Sequence, residues 1–222
     1  MIAQFALFVL ALQTPAQMTV PPGTKLPPYT FILSVGEQRG RSHCYVCESI
    51  EKPVVILFAP ARDPNKESKS DEGWTSVEVT QIAKFMDGEL ARRGALASWL
   101  TFCSPKQEDL DGPIVRWADK AALRRLPVGT FEDAQGPPAY RLDGKELIYA
   151  VIAKDGKIEK VLSLKQGEEA KGLESALTIE LDRIAPVPPK EKSPPKETKT
   201  GSTPESKPVA KPESAGSPKK PS

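Results

Sequence analysis

Two cysteines in Cys44-Tyr45-Val46-Cys47 carry the clearest capacity for chemistry in this chain. Thiols at this spacing can close a small disulfide ring, and such a ring exchanges with outside thiols when one sulfur is easily held as thiolate. Arg41 and His43 precede the pair, and Glu48 and Glu51 follow it. In a redox reading Cys44 is the nucleophile, its thiolate favoured by Arg41 and protonated His43, and Cys47 is the resolving thiol. In a structural reading the same Cys44–Cys47 bond is a permanent clip of modest value, because a short loop removes little unfolded-state entropy. A metal reading is weaker. His43, Cys44 and Cys47 offer three ligands where structural zinc takes four, and the haem signature places its histidine after the second cysteine. No metal and no other cofactor is expected.

The rest of the composition narrows the field. Of three cysteines, pairing Cys44 with Cys47 leaves Cys103, which ends an apolar run and reads as a small buried residue. A single histidine removes most histidine-based catalysis. The formal net charge of +2 over 222 residues leaves no electrostatic footprint for nucleic acid. Protein thiols or disulfides are the partners such a pair would meet; composition does not set an oligomeric state.

Both ends of the chain are legible. Ile2 to Leu12 is an apolar run too short to span a bilayer, followed by small residues Thr14 and Ala16. Residues 1–16 therefore read as a signal peptide cleaved after Ala16, although no Lys or Arg precedes the apolar run. Export to a periplasmic or extracellular space follows, where disulfides persist. Residues 17–26 read as a mature N-terminal linker and residues 186–222 as a disordered tail rich in Pro, Lys, Ser and Glu. No later segment is long and apolar enough to span a membrane. What remains, 27–185, has the size of one domain.

The elements that must position the cysteines follow from periodicity. Val54 to Ala59 is a continuous apolar, β-branched run, as in a central strand buried on both faces. A polar loop runs from Pro60 to Gly73. Thr75 to Glu78 fits a capping box, ahead of a helix whose face is Val79, Ile82, Ala83, Met86 and Leu90 and which Gly94 stops. Ser98 to Cys103 is a second strand, and Pro113 to Leu123 a second helix capped by Asp111. Leu147–Ala153 and Ile158–Leu164 flank Asp155-Gly156, a strong hairpin signal, and a last helix spans Glu168 to Ile184. The predicted class is α/β: a mixed central sheet flanked by helices on both faces, with a C-terminal β-hairpin and final helix. Trp74, Trp99 and Trp117 read as packing residues. The pairs Arg92-Arg93 and Arg124-Arg125 read as solvated residues in helix C-terminal turns.

This order, with its local phrases, resembles the thioredoxin-like superfamily and, within it, the peroxiredoxin and redoxin branch. Pro28 to Leu33 looks like that branch's N-terminal strand, running into Lys52-Pro53-Val54-Val55-Ile56-Leu57-Phe58. Leu100 to Pro105 looks like the second core strand and its loop. Leu126-Pro127-Val128, Glu132-Asp133, Gly136 and Ala139-Tyr140-Arg141-Leu142 look like the stretch after the second helix, and Ile148 to Ile158 like the final hairpin. The resemblance covers nearly the whole domain, and the order of the phrases carries it. It implies a thioredoxin-like fold and makes thiol-disulfide exchange a natural chemistry for Cys44 and Cys47. It also makes Pro127 and Pro137-Pro138 candidates for a cis-proline beside a reactive site.

The departures are informative. Peroxiredoxins carry Pro, Thr and a peroxidatic Cys after the first core strand, and thioredoxins place Trp-Cys-x-x-Cys there. This chain has Phe58-Ala59-Pro60-Ala61-Arg62-Asp63-Pro64-Asn65 and no cysteine between Cys47 and Cys103. Peroxidase activity is not expected. Two functions remain: exchange through a displaced Cys-x-x-Cys, or a redox-inactive binding or scaffold module with Cys44–Cys47 as a structural disulfide.

Overall fold

Val54 to Phe58 bury every side chain, and around this run the sheet is built. The computed structural model describes residues 20–63 and 73–189, nearly all within the unit Met1–Pro188. The expected signal peptide and most of the expected tail lie outside the described residues. The elements are β1 (Phe31–Val35), β2 (Ser42–His43), α1 (Tyr45–Glu48), β3 (Val54–Pro60), α2 (Val77–Arg92), β4 (Ala97–Cys103), α3 (Asp111–Ala121), β5 (Val128–Phe131), β6 (Ile148–Lys154), β7 (Lys157–Leu164) and α4 (Ala170–Ile184). They form one seven-stranded sheet in the order β2-β1-β5-β4-β3-β6-β7. The pairs β3/β4 and β4/β5 are parallel, and the others are antiparallel.

The two faces are covered unequally. Val55, Leu57, Leu100 and Phe102 meet the apolar stripes of α2, α3 and α4 in one core. Ile56, Phe58, Trp99 and Phe31 form the opposite core, covered by Val46 of α1, by Val20 and Leu26, and by Tyr140 and Leu142. Helices were expected on both faces; all three long ones share a single face, and only α1 and a 3₁₀ turn at Pro138–Tyr140 lie over the other. Residues 20–26, expected as linker, pack against the domain. Val20 and Leu26 are buried, the Gly23 N–H donates to the Ile158 carbonyl at 2.7 Å, and Lys25 bridges to Lys157. None of the described helices is long and apolar enough to cross a membrane.

Local signals mostly hold, with shifts that have physical causes. Asp155 and Gly156 turn the β6–β7 hairpin with φ of 51° and 69°, as a tight turn between right-twisted strands requires. The cap of α2 is Ser76, one residue later than expected, and its Oγ accepts the Val79 N–H at 3.2 Å. Asp111 lies in the first turn of α3 and pairs with Arg39 at 2.8 Å; Leu110 occupies the cap position without a side-chain bond. Strand β5 was not anticipated. Gly129 within it is required by close packing, since a Cβ there would meet the Ile32 carbonyl oxygen at 2.3 Å.

The two arginine pairs diverge. Arg93, expected in solvent, is 2% exposed. It donates to Glu89 at 2.6 Å, Asp182 at 2.6 Å and the Ala185 carbonyl at 2.7 Å, locking the end of α2 to the end of α4. Arg124 and Arg125 lie beyond α3. Their backbone N–H groups and that of Leu126 donate to Asp87 Oδ1, so one carboxylate fixes the turn into β5.

Candidate functional site

Cys44 and Cys47 are joined by a disulfide, with Cα atoms 5.5 Å apart. They bracket α1, a single turn following the two-residue edge strand β2. Cys44 is the N-cap residue, and its Sγ accepts the Cys47 N–H at 3.3 Å. The two residues between the cysteines anchor the turn. Val46 is buried, and the Tyr45 ring stacks on Trp99 at 5.4 Å and meets His43 edge-on at 4.2 Å. Inward Tyr45 and Val46 leave Cys44 half-buried and Cys47 exposed. Burial, then the charges of Glu48 and Glu37, raise the Tyr45 phenol above its ordinary range.

The flanking His43 and Arg41 take positions that sequence did not specify. His43 is buried at the edge of the sheet, with Nδ1 against Gln38 Oε1 at 3.1 Å and Nε2 against Glu48 Oε2 at 3.2 Å. Both ring nitrogens are therefore directed at oxygen and not at sulfur, and the His43–Glu48 bond spans the disulfide turn. Arg41 is exposed, and its carbonyl accepts the Leu33 N–H, closing the turn from β1 to β2. Among the described residues no His, Cys, Asp and Glu side chains cluster as a metal site.

Cys103 stands apart. It is 3% exposed at the end of β4, where burial, then the nearby Asp133 charge, pushes its thiol up to about 12. It behaves as packing. Trp74, Trp99 and Trp117 pack as well: Trp74, Phe102 and Trp117 meet edge-to-face at 4.8 to 5.9 Å, and Trp99 Nε1–H donates to Tyr29 Oη. Pro127, Pro137 and Pro138 all follow trans peptide bonds, since no cis bond occurs among the described residues.

The register locates the disulfide within the sheet. Ser42, Ile32, Thr130, Phe102 and Ala59 lie on one row across β2, β1, β5, β4 and β3. At the usual spacing between strands, four steps put Cys44 about 19 Å from the loop that leaves β3 at Pro60. Both lie toward the end of the sheet where the parallel strands finish, but α1 covers the face opposite α2. Pro127 precedes β5 and so lies at the other end. The entry to α2 is Thr75 and the cap Ser76, and neither they nor the first turn, Val77–Thr80, carries sulfur.

No family model and no curated protein matches this chain. Solved structures do. A protein described as thiol:disulfide interchange protein DsbE from Chlorobium tepidum is 13% identical with a TM-score of 0.51, covering 73% of this chain and 99% of its own. The fold is thioredoxin-like. A yeast mitochondrial 1-Cys peroxiredoxin shares it at 9% identity and TM-score 0.50, over 74% of this chain and 78% of its own. An uncharacterized conserved protein from Geobacillus kaustophilus does so at 16% and 0.51, over 78% and 87%. At these identities the likeness is one of fold, and chemistry must be argued from the residues of this chain.

Proposed function

We propose that this is an exported thioredoxin-like protein that exchanges thiols and disulfides through Cys44–Cys47. The observation that carries the reading is the unequal setting of the two sulfurs: Cys47 is exposed, while half-buried Cys44 receives the Cys47 N–H. An incoming thiolate attacks Cys47 Sγ and forms a mixed disulfide there. The S–S bond breaks, and Cys44 leaves as a thiolate that the Cys47 N–H stabilises. A lower-pKa leaving thiol departs faster. A second external thiol, once deprotonated, attacks the partner's sulfur in that mixed disulfide; the bond to Cys47 Sγ breaks, Cys47 leaves as a thiolate, and two electrons have passed to the pair as an external disulfide is released. This order reverses the roles expected from the flanking cations: Cys44 holds the charge and Cys47 meets the partner. His43 holds the turn through Gln38 and Glu48, and Arg41 adds its positive charge to the segment that leads into it.

Protein thiols and disulfides are the partners, and a periplasmic or extracellular compartment would keep the pair oxidised between encounters. Reduction of insulin disulfides by the reduced protein tests the activity. Wild type should turn over, and Cys44→Ala should not. Equal rates would remove the oxidoreductase reading. In Cys44→Ser, glutathione disulfide should trap a stable adduct on Cys47, while Cys47→Ser should react at least tenfold more slowly through Cys44.

The second reading is a redox-inactive binding module with Cys44–Cys47 as a clip. The distance of about 19 Å from the loop that leaves β3 at Pro60 favours it. A reduction potential below about −300 mV would decide for it.

A further inference from the structure

Three side-chain oxygens are buried without a hydrogen-bond partner among the described residues: Ser34 Oγ, Thr75 Oγ1 and Glu146 Oε2. Two of them, on Thr75 and Glu146, belong to residues lining one cleft of about 200 Å³. Its walls are the end of β3, the residues entering α2 and the segment Gly144–Leu147 before β6. Glu146 is 9% exposed, and burial, opposed in part by the Lys165 charge, raises its carboxyl above its ordinary range. A buried acidic oxygen without a donor is a standing cost to the free protein, and natural folds rarely leave one without a use.

The chemistry of a complementary molecule can be read from the walls. Oε2 wants a donor. The Thr75 hydroxyl can give a hydrogen bond to an anion, and the N-terminal end of the sixteen-residue helix α2 carries positive potential. Arg62 and Lys145 also line the cleft, which disfavours a simple cation. A donor and a carboxylate on neighbouring atoms satisfy both sets of groups.

We propose that this cleft binds a small α-amino or α-hydroxy acid, its α-substituent donating to Glu146 Oε2 and its carboxylate facing Thr75 Oγ1 and the first turn of α2. The site shares no residue with the disulfide, so its occupancy is independent of redox activity.

Titration of the oxidised full-length protein with glycine, glycolate and acetate, followed by backbone amide shifts, tests this. Glycine or glycolate should bind saturably and at least about tenfold more tightly than acetate, the scale of one charge-assisted hydrogen bond. A glycine preference assigns an ammonium group to the site, and a glycolate preference a hydroxyl. Glu146→Gln should erase the advantage over acetate, and Thr75→Val should weaken all three probes. Without ligand, Glu146→Gln should melt no lower than wild type, because it removes an unpartnered acid. Absence of saturable binding, equal binding of acetate, wild-type behaviour in both variants, or a lower melting temperature in Glu146→Gln would overturn the proposal.

Discussion

Replacing Cys44 and Cys47 together with serine opens a covalent loop of only four residues, the two cysteines lying three apart in sequence. Loop-closure entropy for four residues is about 6 cal/mol/K, or about 2 kcal/mol at 25 °C. In a folded unit of this size that corresponds to a fall in Tm of about 4–8 °C. The same free energy must appear in the redox equilibrium, because whatever the bond adds to the fold the fold adds to the bond. At 30 mV per 1.4 kcal/mol, the folded chain should hold its disulfide about 40 mV more firmly than the unfolded chain does. The assay equilibrates wild type against graded ratios of oxidised and reduced glutathione, with and without denaturant. Acid quenching, alkylation and mass analysis then give the fraction reduced. Since Cys103 stays buried in the native state and adds one constant label in denaturant, the Cys44–Cys47 step is read separately. A gap of about 40 mV leaves the bond within reach of ordinary thiols, as exchange requires. A gap beyond about 100 mV, equivalent to about 5 kcal/mol, would mean that contacts other than loop entropy grip the bond, and the exchange reading would fail.

Three further outcomes follow from the geometry. Iodoacetamide at pH 8 should label no cysteine in the native oxidised protein and one after denaturation without reductant, because Cys103 is 3% exposed and its thiol titrates near 12; native labelling would contradict its burial. Arg93→Met leaves buried Glu89 with the half-exposed Arg92 as its ion-pair partner and should cost about 3 kcal/mol in urea unfolding, with Glu89→Gln added on top restoring part of the loss. The Tyr149 hydroxyl donates to Asp143 and Lys160 donates to Glu180, holding both carboxyls below their ordinary range. Folded pKa values below the unfolded ones mean that this stability is present above about pH 4 and is lost as pH falls through the folded values. Urea midpoints from pH 6 to 2 should show that loss, with a smaller acid-side slope in Tyr149→Phe.

What could be read from sequence was what depends on neighbours along the chain. Strand β3 announces itself through six consecutive apolar side chains, the hairpin through Asp155-Gly156, and α2 through a stripe of period 3.6. Elements too short to show a period were not legible. Strand β2 has two residues and α1 four, and these two elements hold the disulfide. Tyr45 and Val46 offered a signal in hindsight: a pair of adjacent apolar residues between two cysteines turns inward and pushes the second sulfur out. Burial of Arg93 and Glu146 was illegible for a different reason. Asp182 is 89 positions from Arg93, and the cleft around Glu146 is closed chiefly by the end of β3 and the entry to α2, about 70 residues or more away in sequence. Local composition makes both residues look solvated.

The location of the disulfide then acquires a reason. Helices α2, α3 and α4 occupy one face and leave the other to short segments, so the face under α1 is where the sheet can hold a sulfur near solvent. The exchange proposed for this pair needs an anchor that resists the pull of a mixed disulfide, and Tyr45 against Trp99 with buried Val46 would supply it. The cleft at the N-terminal end of α2, free of sulfur, holds instead two unpartnered oxygens, one on Thr75 and one on Glu146 before β6. Substitution at one place should therefore leave the other untouched, the two lying on different faces about 19 Å apart with no shared partner. Glu146→Gln should shift no reduction potential, and Cys44→Ser with Cys47→Ser should alter no glycine or glycolate affinity; coupling between them would show that the two faces work as one site.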